Sequence, residues 1–360
     1  MTPEVGVRSG VQGVEKSGVS MNVELWNKSG PWDAYVESAP DASNYHRWVW
    51  KEVIEETYGH KGYYLAAVAD GAIQGVLPLF AIKSRLFGHF LVSIPFFSYG
   101  GVLANAAEAR QGLLARAVEL AKELGARRIE LRQENPCDSG WHVTSAKVAM
   151  QVVLPAARDE LWKRLSSRLR NKVRHAQKDG LRTEWAGIDA VNNFYRVFAS
   201  NMRNLGTPVY PKKWFENVCR HTPADARILM VLDDGRPIAG TFVSGFRETL
   251  ELPWIASVPE GRRNYATELL YWTSLEWAAE KGYRRVDLGR CTPGGGVYRF
   301  KKQWICEEKP LHWHHWLVPG EPVPHLHADN PRFRWAVSIW KHLPLSVANR
   351  VGPYIVRSIP

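Results

Sequence analysis

Apolar and polar positions alternate along two stretches of the chain, Tyr63 to Phe80 (YYLAAVADGAIQGVLPLF) and Ile228 to Phe246 (ILMVLDDGRPIAGTFVSGF), and each alternation is interrupted by an Asp-Gly pair. Period-two alternation marks a strand, and Asp-Gly supplies the residues of a tight reversal, so each stretch predicts a hairpin turning at Asp70-Gly71 or Asp234-Gly235. The period then lengthens to that of a helix in LLARAVELAKELGARRIELR (113–132) and in LLYWTSLEWAAEKGYRRVDLGR (269–290). Both helices stop on a glycine, Gly125 or Gly282, and both resume as a short strand, Ile129-Glu130-Leu131 or Val286-Asp287-Leu288. Hairpin, helix and strand thus occur twice. A repeat distance of about 160 residues is too long for a solenoid and fits tandem domains. The chain reads as two copies of one α/β unit.

Composition narrows this picture. With 45% hydrophobic residues in 360, the chain can bury one or two cores. No apolar run reaches the roughly 18 residues that span a bilayer, and the opening residues lack the order of a signal peptide, so a cytoplasmic protein with a flexible tail over 1–22 is expected. The four cysteines lack metal-type spacing and read as free thiols; no metal is expected.

The net charge of +11 is unevenly spread, and residues 158–182 hold nine Arg or Lys against three Asp or Glu. Trp162, Leu165, Leu169, Val173 and Ala176 recur at helical spacing there, which predicts one amphipathic helix stopped by Gly180. Its basic face is either simply solvated or a polyanion contact, in which Arg170, Arg174 and Lys178, at i, i+4 and i+8, would form a phosphate-tracking stripe.

The richest chemistry follows the second repeat strand, where Asp287 leads into a loop with Gly294-Gly295-Gly296 and then Tyr298-Arg299-Phe300-Lys301-Lys302-Gln303-Trp304. A glycine loop lets backbone approach a ligand closely. Neither P-loop nor dinucleotide-fold glycine spacing is present, so the loop by itself is equally a tight turn.

Five stretches in order carry a family resemblance: NYHRWVWKEVIEETYGHKGYYLAAV; GVLPLF with SRLFG and SIPFFSYGGVLA; RLRNKVRHAQKDGL; FASNMRNLGTPVYPKKWF; and DLGR followed by YRFKKQW. The chain resembles the Fem-type peptidyltransferases and related GNAT-like acyltransferases, and especially the FemAB-like proteins associated with exosortase/PEP-CTERM systems. The resemblance covers roughly residues 23–320, and the segment beyond also looks like that subgroup. It implies an α+β (α/β) fold of tandem duplicated GNAT-like domains, over 23–155 and 156–320, with mixed, mainly antiparallel sheets flanked by helices. It also implies transfer of an acyl or aminoacyl group to an amine or hydroxyl of a cell-envelope or exopolysaccharide precursor.

On that resemblance Lys301 is the cation at the reacting centre, with Phe300 walling the site and Trp304 behind it; otherwise Lys301 is a surface lysine. Attack on a donor carbonyl builds charge on oxygen, which a preorganised cation or backbone N–H donor would stabilise. Asp287 is a candidate general base, although Glu130 at the matching position of the first copy makes it equally a shared structural acid. Arg203 and Tyr210 match the family's substrate-facing pair. His46 and Tyr99 match positions near the first-domain cleft, with a buried, hydrogen-bonded core role as the other reading of His46.

No tightly bound cofactor is expected. In GNAT enzymes a helix N-terminus cradles the donor's pyrophosphate; here the stretch Gly261-Arg262-Arg263-Asn264 precedes the repeat helix without the paired glycines. Acyl-CoA and aminoacyl-tRNA therefore both stand as donors. His312, His314 and His315 alternate within a strand-like LHWHHWLV and read as packing rather than metal ligands. Residues 321–360 read as a basic amphipathic segment, with Phe333, Val337 and Trp340 on one face, that either docks on the protein or contacts the inner membrane surface. DNA is not an expected partner. A noncatalytic polyanion- or tRNA-binding adaptor and a small-molecule N-acetyltransferase using acetyl-CoA are the alternative functions.

Overall fold

The computed structural model describes residues 21–84, 87–323 and 331–359, so nearly all of the expected tail and most of the linker at 321–330 lie outside the described residues. The first half begins with strand β1 (Asn22–Leu25), helices α1 (Ser29–Ser38) and α2 (Val49–Tyr58), and strands β2 (Gly62–Ala69), β3 (Ala72–Ser84), β4 (Gly88–Val92) and β5 (Leu103–Ala104). Helix α3 (Ala107–Leu124) and strands β6 (Arg128–Gln133), β7 (His142–Thr144) and β8 (Val148–Val153) complete it. Helices α4 (Arg158–Arg164) and α5 (Ser167–Lys178), strand β9 (Arg182–Ala186) and helices α6 (Val191–Leu205) and α7 (Lys212–His221) follow. Next come the second repeat's β10 (Ala226–Asp233), β11 (Arg236–Phe246), β12 (Thr249–Ser257), α8 (Pro259–Arg263), α9 (Ala266–Glu280) and β13 (Arg285–Cys291). Helix α10 (Gly296–Lys302), strands β14 (Glu307–Pro310) and β15 (His312–Leu317), and helices α11 (Pro331–His342) and α12 (Leu345–Val356) end the chain.

Both expected hairpins form. Asp70 and Gly71 have φ of 52° and 76°, Asp234 and Gly235 of 46° and 78°, the left-handed pair that matches strand twist in a two-residue turn. One sheet runs β1-β2-β3-β4-β6-β15-β7 with β5 beside β3, and the other runs β14-β8-β13-β12-β11-β10-β9. Each is antiparallel except for one parallel pair at the same place in each repeat, β4 with β6 and β12 with β13. The α3 and α9 crossovers impose this parallel step.

The sheets do not follow a simple cut of the chain. Strand β8, which precedes α4, lies in the second sheet between β13 and β14, while β15 lies in the first between β6 and β7. Each half lends a strand to the other.

The basic stretch at 158–180 is not the single helix that its spacing predicts. Leu165 and Ser166 are extended, with ψ of 145° and 149°, and the Ser166 hydroxyl accepts a bond from the Leu169 amide at 3.2 Å, capping a new helix, α5. Leu161, Leu165, Leu169 and Val173 all remain buried, so the apolar spacing runs on across the break.

Three cores result. Helix α3 covers one face of the first sheet through Leu113, Ala117 and Leu120. Helices α5 and α9 cover one face of the second through Val173, Leu270 and Leu275. Between the sheets lies an aromatic core fed by both halves, in which Phe97 packs on Trp214 and Trp254 with ring centroids 5.8 Å apart in each case.

Candidate functional site

Strands β12 and β13 are in register only over Thr249–Arg285, Leu250–Val286 and Glu251–Asp287. Beyond that pair they part, and β13 continues instead against β8 at Arg290 and Cys291. The gap is a cleft of about 570 Å³ whose walls are residues 251–257 on one strand and 287–290 on the other. Tyr45 and the loop 96–99 of the first half roof it, and Phe300 and Lys301 of α10 line it.

The first repeat has the same parallel step but no such gap. There the Ser93 amide bonds the Glu130 carbonyl at 2.9 Å, the Arg132 amide bonds the Ser93 hydroxyl at 3.0 Å, and the Gly100 amide bonds the Arg132 carbonyl at 3.0 Å. The segment leaving β4 is thus stitched to β6. Matching acids differ accordingly: Glu130 pairs with Arg132 at 2.8 Å, both buried. Burial works to raise the Glu130 carboxyl, but Arg132, His315 and Arg128 outweigh it and hold it below its ordinary value. Glu130 is a structural ion pair.

Asp287 is held by hydrogen bonds instead, with Lys301 acting on it only as a nearby charge. One oxygen accepts the Tyr99 hydroxyl at 2.7 Å and the other the Gly289 amide at 2.6 Å, while Gln151 of the exchanged strand β8 approaches at 3.4 Å. Burial raises its carboxyl, and the Tyr99 and Gly289 bonds only partly oppose the shift. Opposite it stands Glu251, whose carboxyl is pushed well above its ordinary range by burial and then by the charge of Asp287, with a bond from Tyr45 resisting. Two acids side by side in a dry cleft cannot both ionise easily, so they titrate as a pair. The position of the first repeat equivalent to Glu251 is Val92, the partner of Glu130.

Lys301 is 5% exposed. Its Nζ donates to the carbonyls of Gly289 at 2.8 Å and Arg290 at 3.2 Å, which leaves one of three protons for the cleft. Burial lowers its ammonium below the ordinary lysine value, while the thiol of Cys291 and the carboxyl of Asp287 favour its charge. The carbonyl that holds the lysine belongs to Gly289, a β13 residue at φ 79° that lies ahead of the 294–296 glycine loop. Phe300 stands edge-on to Tyr271 at 5.1 Å and lines the cleft. Trp304 is fully buried, stacked on the far side of Tyr271, and is not a wall of the cleft.

Other expected site residues divide in the same way. Tyr210 and Tyr99 line the cleft. Arg203 does not, because helix α11 docks beside it and its guanidinium donates to the Lys341 carbonyl at 3.1 Å. Neither do Arg170, Arg174 and Lys178; Arg174 lies over the Trp162 ring, 5.4 Å from its centroid, and Lys178 is exposed. The basic helix reaches the site instead through Lys172, which pairs at 2.9 Å with Glu268, a lining residue in the first turn of α9. His46 sits under a small neighbouring pocket, its Nδ1 accepting the Ser43 amide at 3.0 Å and its Nε2 facing the Gly101 carbonyl at 3.2 Å; burial lowers its pKa to about 4, so it is neutral. Of the expected donor stretch only Arg262 lines the cleft, donating to the Ser257 carbonyl at 2.7 Å and the Asn201 amide oxygen at 3.2 Å. Gly261 is a packing residue, since a Cβ there would lie 2.6 Å from the Ile238 carbonyl oxygen. Arg263 and Asn264 are outside the lining.

Sequence reading missed Glu251, Arg290 and Lys172. Arg290 lines the cleft, donates to the Phe97 carbonyl at 2.7 Å and lies 5.3 Å from the centroid of the Trp313 ring, with Arg132 at 4.6 Å from the same centroid. The DLGR motif was the one signal for it.

Residues 163–302 match the family described as acetyltransferase (GNAT) domain. No curated protein matches the chain by sequence. Among solved structures the fold is similar to that of FemX, at TM-score 0.66 and 18% identity over 82% of this chain and 97% of that one. It is also similar to the C-terminal domain of a candidate lysylphosphatidylglycerol synthetase from Agrobacterium fabrum (TM-score 0.54, 14% identity, 73% of this chain, 86% of that one). A tandem GNAT protein of the clavulanic acid biosynthesis pathway is similar along its whole length (TM-score 0.54, 11% identity, 85% of this chain). These likenesses show the tandem GNAT fold.

Proposed function

We propose that the chain is a Fem-like transferase that moves an acyl or aminoacyl group onto an amine or hydroxyl of a cell-envelope precursor. The observation that carries this reading is the pairing of a buried lysine with two buried acids across one cleft, at the only repeat step that opens. The acceptor's nitrogen or oxygen attacks the donor carbonyl carbon; negative charge gathers on the carbonyl oxygen, where the Lys301 ammonium would stabilise it. Asp287, with its bond to Tyr99, takes the acceptor's proton, and collapse expels the thiolate or ribose oxygen of the donor. Phe300 and Tyr210 keep water from the same carbonyl. The likeness to a lysylphosphatidylglycerol synthetase domain supports an aminoacyl cargo and an envelope acceptor.

Both donor classes enter the test, because the Glu268 carboxylate in the first turn of α9 is matched by Lys172 at 2.9 Å and sets neither apart. The full chain incubated with labelled aminoacyl-tRNA or acyl-CoA and an amino-sugar or aminoacyl-lipid acceptor tests both. Label transfer that Lys301→Ala abolishes supports the reading, and transfer undiminished in that variant would overturn it.

A further inference from the structure

Helices α11 and α12 are seated firmly but look outward with the wrong chemistry for water. A Cβ on Gly206 would lie 2.5 Å from Val337 Cγ1, and one on Gly352 would lie 2.8 Å from the Val209 amide nitrogen, so both helices press against the α6 end of the protein through bare glycine contacts. Arg203 bonds the Lys341 carbonyl, and Arg357 bonds the Tyr58 carbonyl at 2.8 Å. The inner face is therefore settled by Trp340, Ala348, Gly352 and Val356, all buried.

On the outer face stand Trp335, Ile339, Val347, Val351 and Tyr354, five of the twelve large hydrophobic side chains exposed among the described residues. They fall at i and i+4 on α11 and at i, i+4 and i+7 on α12, one stripe on each helix. Trp335 is 67% and Tyr354 71% exposed, and residues 331–360 carry five Arg or Lys and no Asp or Glu. Of these cations Lys341, Arg350 and Arg357 are exposed. Aromatic and aliphatic side chains among unopposed cations suit a surface that is apolar beneath and anionic on top. Among the described residues no helix is long and apolar enough to cross a membrane.

The face adjoins the site. Leu205, the last residue of α6, lines the cleft and is 55% exposed, and its neighbour Gly206 is the residue on which α11 rests. We propose that α11 and α12 dock the protein on an anionic phospholipid bilayer, laying the cleft mouth at Leu205 against the headgroups so that the acceptor is reached while still linked to lipid. The attachment stands on the surface alone; the choice of a lipid-linked acceptor rests on the transferase reading.

Flotation of the full chain with vesicles of phosphatidylcholine, and of phosphatidylcholine mixed with phosphatidylglycerol, tests it. Binding is expected to the mixed vesicles, to weaken with salt, to fall about fivefold on removing one exposed cation by Arg350→Gln, and to fall at least about tenfold in Trp335→Ser/Ile339→Ser/Tyr354→Ser. These side chains are exposed, and unchanged melting would show that the triple variant folds. Equal flotation of that variant, or no flotation of the parent at low salt, overturns the proposal. So does a parent that sediments as a dimer, ignores vesicles and becomes monomeric in the triple variant, since the stripe would then cover a second copy. A chain that floats but transfers nothing would sink only the transferase reading; one that transfers to a soluble acceptor yet never floats would sink only this one.

Discussion

Glu251 and Asp287 face each other across β12 and β13 at the last register pair before the strands separate. Their carboxyls therefore sit at the apex of the cleft, and the charge of Asp287 makes Glu251 harder to ionise. The folded state favours a neutral Glu251, whose ordinary value is 4.5 and whose folded value is well above it. Its contribution to stability is complete below the ordinary value and is lost as pH rises towards the folded one. Glutamine never ionises, so the melting temperature of Glu251→Gln relative to the parent should climb as pH rises above the ordinary value of 4.5. A difference that stays flat across melts on the alkaline side of that value would show that the Glu251 carboxyl is not raised in the folded state.

Tyr99→Phe removes a bond that holds the Asp287 carboxyl down. The carboxyl should rise further, and the acid limb of transfer activity should move to higher pH. Some stability is lost too, roughly 1–3 kcal/mol for a buried acceptor deprived of its donor. Initial rates across pH check this; an unmoved limb would remove Asp287 from the role of base.

For Lys301→Ala the expected loss is about a hundred- to a thousandfold in kcat, with KM little changed, because the ammonium would act on charge that exists only in the transition state. The parent should lose activity on the alkaline side at a pH below the ordinary lysine value of 10.5, since burial lowers the ammonium. The alkaline limb should vanish in the variant's residual rate. Steady-state kinetics at several pH values would decide.

Gly261→Ala drives a methyl against the Ile238 carbonyl oxygen, which as strand backbone cannot turn aside. Destabilisation of about 1–3 kcal/mol is expected. Because Arg262 follows directly, KM for the donor should rise more than kcat falls. Chemical denaturation together with donor titration measures both effects.

The repeated hairpins were legible because Asp-Gly leaves the backbone little choice; Asp287 drew notice beside its glycine loop, and Lys301 through the family resemblance. Glu251 was not. In TLELPWIAS it reads as one acid in an alternating strand, and its inward direction is decided by the pairing with β13, thirty-odd residues on. Arg203 looked substrate-facing on the family resemblance, and its helix does line the cleft through Asn201 and Leu205; only the docking of a helix remote in sequence turns the guanidinium away. The break at Ser166 was masked by leucines whose spacing serves one core on both sides of it.

The exchanged strands bear on how the protein is made and how it can move. Until β15 leaves the ribosome, β6 and β7 have no strand between them, so the first sheet waits for residues 312–317 although its other strands were synthesised early. The second sheet, in turn, is completed around a strand that was waiting since the first half. Such halves are laced together: the chain crosses between the sheets through residues 145–147 and again through Leu311 alone. Any relative movement of the sheets therefore bears first on these two short crossings, where the Leu311 amide already bonds the Lys147 carbonyl at 3.0 Å.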